Sequence, residues 1–108
     1  MTRYAIGPAA FEIDSLPSQC QVAICHGFFV APAARGKGIA NHAKKAQAEI
    51  LKGLAYDYSI CTVMADNQAQ KHVLEKAGWE CIAEFYSARQ DAQIELWGFE
   101  VNQGVNAK

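Results

Sequence analysis

Apolar positions fall into two rhythms along this 108-residue chain. Stretches of two-residue alternation or unbroken apolar run read as strands, and three-to-four-residue spacing reads as helix. Tyr4, Ile6, Phe11 and Ile13 mark two short strand pieces around Gly7-Pro8, and Leu16-Pro17-Ser18 reads as a turn. Gln21 to Val30 is a near-continuous apolar run rich in strand formers, which predicts a buried central strand. Pro32 ends it. Ala33 to Gly38 is a glycine-containing loop, and a helix is predicted from about Gly38 to Leu54. Its apolar face is Ile39, Ala43, Ala46, Ile50 and Leu54, and its polar face carries Lys44, Lys45 and Glu49.

Tyr58 to Met64 predicts a second buried strand. Asp66-Asn67 can cap a second helix, Gln68 to Ala77, which Gly78 closes. Trp79 to Phe85 and Ile94 to Val101 read as a third and a fourth strand, joined as a hairpin through Ser87 to Asp91. The polar tail from Asn102 reads as frayed. The expected fold class is α+β: a mixed sheet with a central β-α-β-α unit and a C-terminal antiparallel hairpin. No repeat or linker divides the chain, so residues 1–108 read as a single domain.

Composition narrows the function. Nineteen Ala thin the core, so the five Phe, two Trp and four Tyr must carry much of it. Ten basic against eleven acidic residues argue against a nucleic-acid module. No apolar run approaches a membrane span, and the first eight residues lack a signal-peptide stretch, so the expected location is cytoplasmic. Cys20, Cys25, Cys61 and Cys81 form no CxxC pair. Three lie in apolar runs and read as small core hydrophobes, and neither a metal site nor a disulfide is expected.

Chemistry concentrates between Val30 and Ala40. A buried strand ends there, the chain turns through Arg35-Gly36-Lys37-Gly38-Ile39-Ala40, and a helix begins. Unpaired N–H groups of a first helical turn, glycines that admit close approach, and two full positive charges make an anion site suited to a pyrophosphate. The spacing is neither that of a Walker loop nor that of a Rossmann fingerprint. With Val30-Ala31-Pro32 before it, this segment resembles the acyl-CoA signature of the GNAT acetyltransferase family, Gln/Arg-x-x-Gly-x-Gly/Ala after a strand. A second family block is similar to Val63-Met64-Ala65-Asp66-Asn67 followed by Leu74-Glu75-Lys76-Ala77-Gly78-Trp79. The resemblance covers roughly residues 24–85.

That resemblance implies transfer of an acetyl group from acetyl-CoA to an amine, small or on a protein. It places the pyrophosphate on the backbone amides of Arg35, Gly36, Lys37, Gly38, Ile39 and Ala40. It lays the pantetheine arm beside Phe28, Phe29 and Val30, with Asn67 and Lys71 flanking the cofactor's other side. Two departures accompany it. Leu74 stands where many members carry a Tyr general acid, leaving Tyr86, Cys61 or a water as substitutes. The segment before the central strand is also short, with the family's N-terminal helices reduced or missing. The acceptor side is then expected to be open or completed by a second subunit, and a homodimer is consistent with the family.

The general base is read from the residues. His26, on the central strand, has the right intrinsic pKa range for proton removal at neutral pH and is expected on the face of Phe28 and Val30. Glu80 and Glu84 are alternatives. His42 and His72 read as exposed helix residues, Trp79 as core, and Trp97 as facing the side opposite Leu96. Residues 35–52 carry a net +4, suiting a polyanionic cofactor, and residues 80–100 a net −4, suiting a cationic amine. The leading expectation is an N-acetyltransferase. The alternatives are a non-catalytic member of the same fold, binding acyl-CoA or a partner protein, and a generic nucleotide-phosphate binder.

Overall fold

The computed structural model describes residues 2–102. Six strands form one mixed sheet, and two helices pack on one of its faces. In chain order the elements are β1 (Thr2–Ile6), β2 (Ala9–Leu16), β3 (Gln19–Val30), α1 (Ile39–Gly53), β4 (Tyr58–Met64), α2 (Gln68–Lys76), β5 (Glu80–Ser87) and β6 (Ala92–Glu100). The sheet order is β1-β2-β3-β4-β6-β5. The α+β class, the central β-α-β-α unit and the C-terminal hairpin follow the reading of the sequence. The polar tail beyond Asn102 lies outside the described residues.

The N-terminal pieces are more ordered than their weak pattern suggests. β1 and β2 pair antiparallel from Thr2↔Ile13 to Ile6↔Ala9, and β2 pairs antiparallel with β3 from Leu16↔Gln19 to Ala9↔Val30. Alanines at positions 5, 9, 10 and 23 blur the alternation, because a methyl group signals neither face strongly. The paired hairpins nonetheless put Phe11, Ile13 and Ala23 into the core with Leu51, Leu74, Trp79, Trp97 and Phe99. Phe11 stacks between Tyr4 and Phe28, and Trp79 stacks on Phe99.

Two features of β3 position the site. Its parallel pairing with β4 covers only Val22↔Tyr58, Ala23↔Ser59 and Ile24↔Ile60. Beyond Ile24 the strands part, and β3 runs on to Val30 held by β2 alone. A wedge therefore opens between the carboxyl ends of two parallel strands, where α/β sheets commonly take ligands. The second feature is a bulge. Ala10 pairs with Phe29 but Glu12 pairs with His26, so β3 carries one extra residue there, and Gly27 adopts a φ of 66°. A bulged residue reverses the alternation of side chains. Cys25 and Phe28 consequently share the helix face, while His26 points to the other side with Glu12 and Asp14. The expectation that His26 shares a face with Phe28 and Val30 is corrected on this ground.

Burial revises other expectations. The buried stripe of α1 is Ala43, Lys44, Gln47 and Leu51, whereas Leu54 is half exposed. Trp97 is buried, its indole N–H donating to Glu95 Oε1 at 2.9 Å. Trp79 is in the core as expected, and Gly78, with φ 93°, turns the chain so that Trp79 N–H reaches the Leu74 carbonyl at 3.0 Å. Of the four free cysteines, Cys25 is buried and Cys61 half-buried, but Cys20 and Cys81 are exposed, so core packing accounts for only two. The sheet face opposite the helices has no helix over it among the described residues. No helix among them is long and apolar enough to cross a membrane.

Candidate acyl-CoA site

The wedge between β3 and β4 continues over the start of α1 into a cleft of about 510 Å3. β3 supplies Phe28, Phe29 and Val30, the loop supplies Arg35, Gly36 and Gly38, α1 begins with Ile39 and Ala40, and Asn67 stands across at the start of α2. Nine of the residues read from the sequence as cofactor-binding therefore line one cavity. The two others do not line it. Lys37 is exposed in the loop. Lys71 turns the other way: its ammonium donates to Glu95 Oε2 at 3.0 Å and to the Ala65 carbonyl at 2.8 Å. An ammonium held twice is not free for a cofactor on the opposite side of α2, and the flanking role expected of Lys71 has no geometry behind it. Asn41, Ala69, Gln70 and Val73 line the cleft without having stood out in the sequence. Helical spacing from Asn67 reaches Gln70 and marks that turn after the fact.

The loop is built for an anion. Gly36 and Gly38 have φ of 80° and 77°, a conformation that side chains disfavour, and a Cβ at either position would meet open space. These glycines are therefore required by backbone conformation rather than by crowding. Gly38 N-caps α1 without any side-chain bond to its first N–H groups. The first N–H to join the ladder is that of His42, bonded to the Gly38 carbonyl at 3.1 Å. Those of Ile39, Ala40 and Asn41 belong to the turn that every α-helix leaves unpaired. Arg35 fixes the approach: its Nε donates to the Val30 carbonyl at 2.9 Å, and its guanidinium lies 5.5 Å from the centre of the Phe29 ring. That leaves the other guanidinium N–H groups beside the cleft. Asn41 Oδ1 is buried without a hydrogen-bond partner, so the cleft also holds an acceptor awaiting a donor. Unpaired donors at a helix start, a positive side chain and an extended apolar wall fit a pyrophosphate carrying a long amide-containing arm.

A second hollow of about 250 Å3 lies farther into the wedge and shares Phe28, Asn67 and Gln70 with the first. His26, Lys44, Gln47 and Cys61 line it. His26 Nε2 lies 2.8 Å from Asp14 Oδ2, and its Nδ1 lies 3.6 Å from Glu12 Oε1. An ionised carboxylate only accepts, so Asp14 Oδ2 takes the hydrogen of Nε2 wherever that nitrogen carries it, and the contact fixes the ring's orientation. Glu80 and Glu84, the alternative bases, are exposed on β5 and line neither hollow above. Burial pushes the Cys25 thiol up to about 12 and the Cys61 thiol up to about 11. Both are protonated at neutral pH and are poor nucleophiles. Leu74 is fully buried in the core, and Tyr86 is engaged with Asp91 at the β5–β6 turn.

Known proteins share this fold and one family model matches the chain. The family model described as the acetyltransferase (GNAT) family matches residues 6–79. Among solved structures, the chain resembles an IAA acetyltransferase from Bacillus cereus, with a TM-score of 0.76 at 13% identity over 85% of this chain and 69% of that one. It resembles a spermidine N-acetyltransferase chimera from Vibrio cholerae and hSSAT, with a TM-score of 0.77 at 16% identity over 91% and 61%. Nourseothricin acetyltransferase superposes with a TM-score of 0.74 at 13% identity over 87% and 58%. The chain thus spans about 58–69% of these structures' lengths. No curated protein matches it by sequence. A parted parallel strand pair, a glycine loop opening a helix and a family match over most of the chain lead to one conclusion: this chain belongs to the GNAT acetyltransferase family.

Proposed function

We propose that the chain transfers an acetyl group from acetyl-CoA to a primary amine. The observation that carries this reading is the continuous path from the unpaired start of α1, along Phe28 to Val30, into the hollow beside His26. Bound acetyl-CoA supplies an activated thioester. The loop holds its pyrophosphate, and β3 beyond Ile24 offers backbone N–H and C=O groups that β4 does not take. His26 removes the proton that keeps an amine from attacking. The amine nitrogen then bonds to the carbonyl carbon, the C–S bond breaks, and the sulfur leaves with the electron pair. The nitrogen's second proton passes to that thiolate.

A separate acid is not required. An ordinary thiol, with pKa about 8.5, is already a fair leaving group. Cys61, at about 11, holds its proton more tightly than the departing thiolate would. Acidic Glu12 and Asp14 beside His26 favour a cationic acceptor. The sheet face next to them, with no helix over it among the described residues, favours a bulky acceptor, such as a protein amine, over an enclosed small one.

Isothermal titration with acetyl-CoA tests the reading. Wild type is expected to bind in the micromolar range, and the double variant Arg35→Ala, Gly38→Asp to show no heat of binding. Failure of the wild type to bind sinks the proposal. Leu74, wholly buried at the position of the family's acid, favours a second reading, a non-catalytic binder of acyl-CoA or of a partner protein. Binding without thioester turnover across a panel of protein and small amines selects it.

A further inference from the structure

The hollow at the inner end of the wedge carries more polarity than an acetyl group can use. Lys44 and Gln47 lie one turn apart on α1, only 3% and 1% exposed. Lys44 Nζ donates to Gln47 Oε1 at 2.9 Å. The same ammonium lies 5.0 Å from the centre of the Phe28 ring and 4.4 Å from that of Trp79. Aromatic faces soften the burial of a cation but do not neutralise it. Among the described residues no carboxylate pairs with Lys44. The nearby thiols of Cys25 and Cys61 are protonated and offer no counter-charge. Desolvation accordingly holds the Lys44 ammonium below the usual lysine range. Gln47 adds a second deficit: with Oε1 committed to Lys44, its Nε2 is buried and without a partner. Buried donors left unsatisfied are costly, and a buried ammonium without an anion is more so.

Both deficits converge on one hollow, and one chemistry meets both. A carboxylate is anionic and accepts several hydrogen bonds at once. The hollow has room for it: about 250 Å3 is far more than one methyl group fills. It is also in the right place, because Phe28, Asn67 and Gln70 belong to both cavities and a thioester laid along the first leads its acyl group into the second.

We propose that this hollow selects an acyl group ending in a carboxylate, of malonyl or succinyl size, with Lys44 and Gln47 as the specificity-determining residues. The inference rests on the acyl-CoA reading above and refines the group that is transferred. The reaction is otherwise unchanged. The acceptor nitrogen bonds to the thioester carbonyl carbon, CoA leaves as thiolate and takes the nitrogen's proton, and the distal carboxylate stays on Lys44 throughout. The product is an amide that has exchanged an amine's positive charge for a negative one.

Titration calorimetry with acetyl-CoA and succinyl-CoA, on wild type, Lys44→Met and Gln47→Leu, tests it. Wild type is expected to bind succinyl-CoA about tenfold or more tighter than acetyl-CoA, the size of one hydrogen bond to a charged group. Lys44→Met is expected to abolish that preference, and Gln47→Leu to reduce it. Both variants exchange buried polarity for apolar volume, so the fold is expected to persist, and circular dichroism checks it. Acetyl-CoA binding as tightly as succinyl-CoA in wild type overturns this inference and leaves the acyl-CoA reading standing, and so does a preference surviving both substitutions. Absence of binding by either thioester overturns both.

Discussion

Lys44, Cys25 and the half-buried Cys61 form a small group, of which the sequence placed the cysteines in the core and Lys44 on the polar face. The apolar residues of α1 drew its buried stripe through Ile39, Ala43, Ala46, Ile50 and Leu54, of which Ala43 is buried as expected, and Lys44 fell on the polar side. The stripe in fact runs Ala43, Lys44, Gln47, Leu51, which has the same helical spacing. A pattern rule weighs a lysine as polar and has no means of seeing two aromatic rings arriving, one from β3 and one from Trp79 just before β5. Trp97 was harder still, since its burial depends on β6 lying inside the sheet between β4 and β5. The cysteines carry a pH signature. Their thiols rise from 9.0 in the unfolded chain to about 12 and about 11 in the fold, so the fold keeps protons that the unfolded chain has released. Their stabilising contribution is complete below pH 9 and is lost as pH climbs through the folded values. Lys44, shifted downward, acts with the opposite sign in the alkaline range. A comparison with Cys25→Val isolates the thiol. Wild type is expected to lose urea resistance more steeply than the variant between pH 8 and pH 11, and parallel losses would contradict the assignment.

At the scale of the element, α2 shows what local chemistry makes readable. Asn67 Oδ1 accepts from the Gln70 N–H at 3.1 Å, the N-cap that the sequence announces. Gly78 closes the other end in the left-handed conformation, as its position predicts. Caps are legible because they depend on neighbours in the chain. The wedge between β3 and β4 is not, because the loss of pairing after Ile24 is a property of two strands separated by a helix. The bulge at Gly27 escaped for a related reason: a glycine in an apolar run marks it, but only pairing with β2 shows which faces are exchanged. Asn67 also walls the cleft, so its cap and its site role are coupled. Asn67→Ala is expected to cost about 1 kcal/mol of stability, within the usual 0.5–2 kcal/mol for a lost cap. Chemical denaturation measures it, and a loss below about 0.3 kcal/mol would show the cap to be idle.

The whole molecule keeps the cleft and the acidic cluster on different sides of the sheet. Both helices, the glycine loop and the larger cleft stand on one side of the sheet. Glu12, Asp14 and His26 stand on the other, uncovered among the described residues. That division follows from the single extra residue at Gly27, which turns His26 away from the helices while keeping Phe28 beneath them. Its consequence is one of traffic. On the proposed reading, the nucleotide-bearing donor and the amine would reach the same carbonyl carbon through separate doors, so neither would have to depart before the other arrives. The proposed reaction would then pass through a complex holding both substrates, since protonated Cys25 and Cys61 offer no covalent stopover between them. Initial rates measured against both substrates are expected to give intersecting reciprocal plots. Parallel plots would mean that the acyl group waits on the protein, and that the sheet is a relay rather than a window.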